Sequence, residues 1–306
     1  MGLVQSELID FCARWMGSHA LAVLLALFLS TLGVIATLWQ FFENRAPQFW
    51  RYVSGLSQRV LQRSWLQMLQ QRYPRVWRFF NARFAPDTYL GLHLTIGLLV
   101  TLAAMIGFSA LADAVVDREK LTEFDQQLAT SLHQNVALDQ VAIFKAITWF
   151  GNYQTLVCLG LAVLVVLLIG RRWLLVVGWV VALGGGGLLN VVLKAQFHRV
   201  RPMFTNPWLT ETGWSFPSGH AMGSLVAYGM LAYLLIVAWR VRLRWVVVAL
   251  SAGLVLAIGF SRIYLGVHFF SDVVAGYAAA TMWLSICISG CEVARRRPPM
   301  RQMPET

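Results

Sequence analysis

The sequence predicts an all-α integral membrane protein. Three observations carry this: a mostly apolar composition, a series of apolar runs long enough to span a bilayer, and arginines confined to alternate connections between them. Of the 306 residues, 58% are hydrophobic and only 13% charged, and the mean hydropathy is +0.61, the profile of a membrane-embedded chain. Crossing a hydrocarbon core as a helix takes about 20 apolar residues. Seven segments approach that length, at 20–40, 89–112, 153–170, 173–193, 219–239, 245–260 and 270–289. The expected architecture is a six-helix bundle preceded by one extra transmembrane helix and a basic cytoplasmic linker. The expected division is residues 1–87 as anchor and linker, 88–290 as the membrane domain and 291–306 as a basic cytoplasmic tail.

No basic region precedes the first apolar run and no small-residue cleavage site follows it cleanly, so it is expected to stay as an anchor. Met1, Gly2 and Ser6 fit a myristoylation pattern, but the first helix already supplies the anchor. The stretch 43–87 carries eight arginines against Glu43 and Asp87, which holds it on the cytoplasmic side. Within it Val53, Leu56, Val60, Leu61, Trp65 and Met68 recur at helical spacing, with Pro74 as an interruption. The pattern suits either an amphipathic helix lying on anionic headgroups or a small helical pair between spans.

The stretch 113–152 is acidic, with Asp113, Asp117, Glu119, Glu123, Asp125 and Asp139, and is expected to face outward. Arg171 and Arg172 join the third and fourth segments, and Arg240, Arg242 and Arg244 the fifth and sixth. Arg295, Arg296, Arg297 and Arg301 follow the seventh. The alternation predicts seven crossings with an outside amino terminus and an inside carboxyl terminus. A net charge of +11 spread over these connections, among Trp, Phe and Leu, fits a membrane surface and not a nucleic-acid partner. Cys12, Cys158, Cys287 and Cys291 lack metal-type spacing and read as small packing residues. The glycine run 184–187 reads as close helix packing, with a bend near a ligand channel as the other reading.

Once the chain is threaded, Lys194, Arg201, His220, Arg262, His268 and Asp272 all fall at the outer face. Ionisable groups at a bilayer are expensive, and a convergent set of them marks a functional site. Lysine and arginine supply charge and donors suited to a phosphoryl group. Pro217, Ser218 and Gly219 open a helix whose free N–H groups and positive dipole end favour an anion, with Ser218 as hydroxyl donor or cap. His268 and Asp272 are four residues apart and share one face if helical, so the carboxylate orients an imidazole nucleophile while His220 remains to protonate a departing oxygen. His198 and Arg199 read as residues facing the headgroups, and His19, His93 and His133 as structural. Trp208, Trp214 and Phe216 read as interfacial anchors.

Lys194 followed after six residues by Arg201-Pro202, then Pro217-Ser218-Gly219-His220, then Ser261-Arg262 with His268 and Asp272, resembles the type 2 phosphatidic acid phosphatase family, whose site is related to that of vanadium haloperoxidases. The resemblance implies a metal-independent and cofactor-free lipid phosphatase. His268 attacks phosphorus to form a phosphohistidine, Asp272 orients it and His220 protonates the leaving oxygen. Lys194, Arg201 and Arg262, with Ser218 and the backbone of Gly219, hold the phosphoryl oxygens. The implied substrate is phosphatidic acid, phosphatidylglycerol phosphate or undecaprenyl pyrophosphate, at the periplasmic face of a bacterial inner membrane. The same residues also suit a lipid phosphotransferase, a vanadate-dependent haloperoxidase, or a lipid-phosphate binding or transport protein without turnover. Neither the physiological lipid nor the oligomeric state is written in these motifs.

Overall fold

The computed structural model describes residues 2–61, 68, 72–74, 89–117, 120–239 and 241–296. Ten helices of twelve or more residues occur among them, and seven spans are long and apolar enough to cross a membrane. In chain order the helices are α1 (Gly2–Ser18), α2 (Ala20–Leu61), α3 (Tyr89–Val116), α4 (Lys120–Gln134), α5 (Leu138–Trp149), α6 (Tyr153–Ile169), α7 (Trp173–Phe197), α8 (Gly219–Ala238), α9 (Arg244–Tyr264) and α10 (Phe270–Arg296).

Several boundaries differ from the sequence-based expectation. The first span does not stop near residue 40, because its helix runs unbroken to Leu61 and takes in Val53, Leu56 and Val60. Trp65, most of the basic linker and the tail beyond Arg296 lie outside the described residues. The third crossing begins earlier than expected, since α5 and α6 together make one apolar span, Leu138–Ile169. The last helix passes residue 290 and continues to Arg296.

Two short amphipathic helices that periodicity alone did not separate, α1 and α4, pack together at one end of the bundle. Gln127 donates to the Ser6 carbonyl at 3.0 Å, and Ser131 donates to Asp10. Tyr264 at the end of α9 closes this corner: its hydroxyl accepts from the Ala137 N–H at 3.1 Å and lies 3.3 Å from the Gly17 carbonyl. At the opposite end Arg171, Arg172 and Arg295 share a cleft, and Arg172 sits 5.5 Å from the Trp239 ring centre. Among the described residues, these arginines thus gather at the end away from the motif-bearing connections.

Helices α8, α9 and α10 form the centre. Half of the apolar window of α8 is buried, whereas α2 and α3 pack on the outside of this centre and no residue of their apolar windows is fully buried. Between helices in lipid, close approach replaces the hydrophobic effect as the main source of association. The glycine run of α7 shows it: Gly185 faces the Trp283 ring and Gly186 faces Val226, so these two serve packing as expected. Gly187 faces open space and lines a cavity instead. Buried Trp179 and half-buried Trp283 each donate to a carbonyl, Gly160 at 2.9 Å and Ala182 at 3.0 Å, so neither leaves a donor unpaired. Phe216, expected as an interfacial anchor, is fully buried against Phe108 and Phe197. Trp214 does remain exposed. Cys287 and Cys291 are buried packing residues, but Cys12 and Cys158 are exposed.

Gly276 is where α10 crosses the start of α8. A Cβ there would stand 2.8 Å from the Ser218 carbonyl oxygen and 3.1 Å from Ala221 Cβ, with backbone that cannot rotate away. Gly276→Ala should therefore cost about 1–3 kcal/mol through overpacking, read as a lower thermal unfolding midpoint in detergent.

Candidate active site

Three connections and one helix break build the site. Helix α9 ends in Gly266, whose φ of +70° lets the chain reverse. The N–H groups of Val267 and His268 then return to the Arg262 carbonyl at 3.1 and 3.3 Å. This places His268 directly over the last turn that carries Arg262. The next residues start α10, and the carboxylate of Asp272 in its first turn accepts from the Phe269 N–H at 2.9 Å. The Ser218 N–H donates to the Asp272 carbonyl at 2.9 Å, which docks the opening of α8 onto the same turn.

His268 is buried, with Nδ1 3.4 Å from Asp272 Oδ2 and 3.3 Å from Ser215 Oγ. Its Nε2 lies 3.0 Å from Arg201 Nη1, a group that only donates. Nε2 therefore carries the lone pair and Nδ1 the proton. Burial lowers the His268 pKa to about 4, with Asp272 opposing that shift and Arg201 and Arg262 adding to it. The ring is thus neutral at physiological pH.

Arg201 is held by the carbonyls of Gly213 at 3.0 Å and Val267 at 2.9 Å. Arg262 is fully buried, with Nη1 on Thr148 Oγ1 at 2.8 Å and Nη2 on Glu211 Oε1 at 2.6 Å. Burial alone would raise the Glu211 pKa, but Arg262 and then Arg201 outweigh it and hold this carboxyl below its ordinary value. Ser218 acts as the cap of α8, accepting from the Ala221 N–H at 3.5 Å. A Cβ on Gly219 would stand 3.0 Å from Asn190 Oδ1 and 3.8 Å from Lys194 Nζ, so the glycine lets both side chains approach the backbone.

His220 and His268 line one cavity of about 460 Å3, together with Lys194, Arg201, Glu211 and Gly219. Its other wall is apolar, formed by Leu156, Val157, Leu183 and Val191. Five of the residues singled out in the sequence line this space. Arg262, Asp272 and Ser218 stand immediately behind it.

The structure adds groups that sequence reasoning passed over. The chain between α5 and α6 breaks at residues 150–152, and the freed carbonyls find partners: Tyr228 donates to Phe150 at 2.8 Å and Thr155 to Trp149 at 2.7 Å. The break aims Asn152 at His220, Oδ1 to Nε2 at 2.7 Å. Arg199, read as facing the headgroups, is instead drawn inward. Its Nη1 meets Asp272 Oδ1 at 2.6 Å and Ser271 Oγ at 2.7 Å, and its Nη2 meets Asp125 Oδ2 at 2.8 Å. Ser215 donates to Asp272. Asp125 shares its amphipathic helix with Glu123, so its place in that helix does not single it out, and Glu211 is an acid inside a cationic loop. His133 stacks on Phe204 with ring centres 3.8 Å apart, in keeping with a structural role. Among the described residues no three His, Cys, Asp or Glu side chains converge as a metal-binding group.

A bundle of membrane-length helices thus gathers two histidines, a carboxylate and three cations at one cavity, a cationic site with histidines at its wall. Residues 173–295 match the family model for the PAP2 superfamily. It is 39% identical over 97 residues to phosphatidylglycerophosphatase B of Bacillus subtilis, covering 31% of this chain and 47% of that protein. It is 35% identical over 116 residues to an undecaprenyl-diphosphatase of Sulfolobus acidocaldarius, covering 36% of this chain and 50% of that one. The matches thus span about half the length of these relatives. The fold is similar to the crystal structure of a transmembrane PAP2 type phosphatidylglycerolphosphate phosphatase from Bacillus subtilis, with a TM-score of 0.59 and 25% identity, over 65% of this chain and 98% of that one.

Because folded His268 titrates near 4 and an unfolded histidine near 6.5, the unfolded chain takes up a proton that the folded chain refuses as pH falls between these values. This contribution is complete above about pH 6.5 and is lost as pH falls toward 4. The unfolding midpoint should therefore drop over that window, and His268→Gln should flatten the drop.

Proposed function

We propose that the protein is a lipid phosphatase that works through a phosphohistidine, with its site on the outer, periplasmic face of a bacterial inner membrane and its carboxyl terminus in the cytoplasm. The observation that carries the reading is the shape and chemistry of the one cavity: two histidines, Lys194 and Arg201 at one end, and an apolar wall between helices along the rest. An amphiphile fits such a space, headgroup on the cations and tail against Leu156, Val157, Leu183 and Val191. Residues 88–290 are assigned to the catalytic body, with 1–87 as an added span and linker.

In the proposed reaction the lone pair of His268 Nε2 attacks phosphorus, the bond to the leaving oxygen breaks, and His220 gives that oxygen a proton. Water then attacks phosphorus while His220 takes its proton, the phosphorus–nitrogen bond breaks with its electron pair returning to His268 Nε2, and phosphate is released. Lys194, Arg201 and Arg262, with Ser218 and the Gly219 backbone, bind the phosphoryl oxygens and the charge that grows on them. Asp272 keeps the proton on Nδ1 and stabilises the positive ring that forms during attack. These cations supply the positive charge, so no metal ion takes part in the proposed steps. The relatives' names point to phosphatidylglycerol phosphate and undecaprenyl pyrophosphate as the first substrates to test, with phosphatidic acid third.

The test is phosphate release from those three lipids by the purified protein, with and without a lipid acceptor to separate hydrolysis from transfer, and with and without a chelator. His268→Ala and His220→Ala should each lower turnover by about 100-fold or more while the thermal midpoint stays in the folded range. Wild-type turnover by His268→Ala would rule out this nucleophile, and loss of activity to a chelator would rule out the metal-free route. Turnover should fall on both acid and alkaline sides. Gly187→Leu fills the apolar end of the cavity and should raise KM for a long-chain lipid phosphate while leaving a short-chain phosphate monoester unaffected.

A further inference from the structure

Arg199 stands at a variable position inside the first motif and Asp125 outside all three, yet both make close charged contacts behind the histidine. We propose that they are positioning residues for His268: with Asp272 they form a buried line of alternating charge, Asp125–Arg199–Asp272, that aims the carboxylate at the imidazole and sets the negative charge behind it. The proposal rests on the phosphatase reading and deepens it.

The geometry separates the two carboxylate oxygens of Asp272. Oδ1 is taken by Arg199 at 2.6 Å. Oδ2 is thereby turned to the Phe269 N–H, Ser215 and His268. One guanidinium spans both carboxylates, because its two arms reach Asp272 and Asp125 at once, and a lysine has no such fork. Arg199 is itself fixed from a third side, with its guanidinium carbon 4.3 Å from the Phe269 ring centre. Asp125 is then locked by the Ser271 N–H at 3.1 Å and the Ser271 hydroxyl. Both aspartates are almost wholly buried, so neither is a solvated surface charge.

Charge explains why a second aspartate is present. His268 is faced by Arg262 from α9, Lys194 from α7, His220 from α8, and Arg201 and Glu211 from the connecting loop, besides Asp272 on α10. Attack on phosphorus places positive charge on the ring in this mainly cationic surrounding. Arg199 by itself would cancel Asp272. Asp125 offsets Arg199 and leaves the buried line with one net negative charge behind the ring.

The test compares Asp125→Asn and Arg199→Lys with wild type, measuring turnover of one lipid phosphate against pH, KM, vanadate affinity and thermal midpoint. Asp125→Asn should lower kcat about 10- to 100-fold, the range seen when a partner orienting a working histidine is lost, with KM and vanadate affinity within about twofold. Removing this negative charge disfavours the protonated ring, so the acid limb of the profile should move to lower pH. Arg199→Lys keeps the charge and loses the fork, so kcat should fall with the acid limb in place. A folded Asp125→Asn with wild-type kcat and acid limb overturns the proposal. So does a parallel loss of kcat, vanadate affinity and thermal midpoint in both variants, the signature of a purely structural tie. If Asp125→Asn does not fold, Arg199→Lys decides by its kcat, and failure of both to fold also overturns it. An inactive wild type sinks the phosphatase reading along with this one, whereas an active wild type with insensitive variants sinks this one alone.

Discussion

The carboxylate of Asp272 is the constraint on which the outer half of the molecule depends. It is completely buried, and a buried charge persists only when donors surround it. Those donors come from separate parts of the chain: Arg199 and Ser215 from the long connection after α7, and the Phe269 N–H from the turn before α10. The Ser218 N–H adds the opening of α8 through the Asp272 backbone carbonyl. Satisfying one side chain thus brings the connection after α7, the opening of α8 and the turn after α9 to one point. His268, four residues before it, inherits its position from that assembly.

A second consequence follows from the solvent. Backbone at membrane depth is tolerated away from regular helix only where it meets partners or lines a cavity. The interruption at residues 150–152 does both, since Tyr228 and Thr155 take up its free carbonyls and Asn152 reaches His220. The same break ends α5 just past Thr148, which holds Arg262. One local irregularity therefore supports a histidine and an arginine together.

Glu211 gives the cavity its resting balance. It occupies Nη2 of Arg262 at 2.6 Å while lining the cavity beside Lys194, Arg201 and the two histidines. A carboxylate there stands in for an anion and keeps a fully buried arginine paired. Any anionic ligand must share that arginine with it. The apolar wall opposite comes from α6 and α7, whose outer faces are turned to lipid, and Gly187 leaves room along it.

The sequence by itself determined the helical membrane class, the alternation of basic and motif-bearing connections, and the eight residues of the three motifs, because hydropathy runs, arginine placement and short-range spacing are local properties of the chain. Lys194, Arg201, His220 and His268 meet in one cavity, with Arg262 and Asp272 behind it. The partners of Arg199, Asp125, Ser215, Asn152 and Glu211 were not legible because each lies at no fixed spacing from its partner; Arg199 and Asp125 are 74 positions apart, and His220 and Asn152 are 68. The extent of α2, the packing of α1 on α4 and the split duty of the glycine run were likewise decided only by tertiary structure. Long-range pairing of buried charges is settled by which donors the packed helices bring within reach, and that information exists only once the chain has closed on itself.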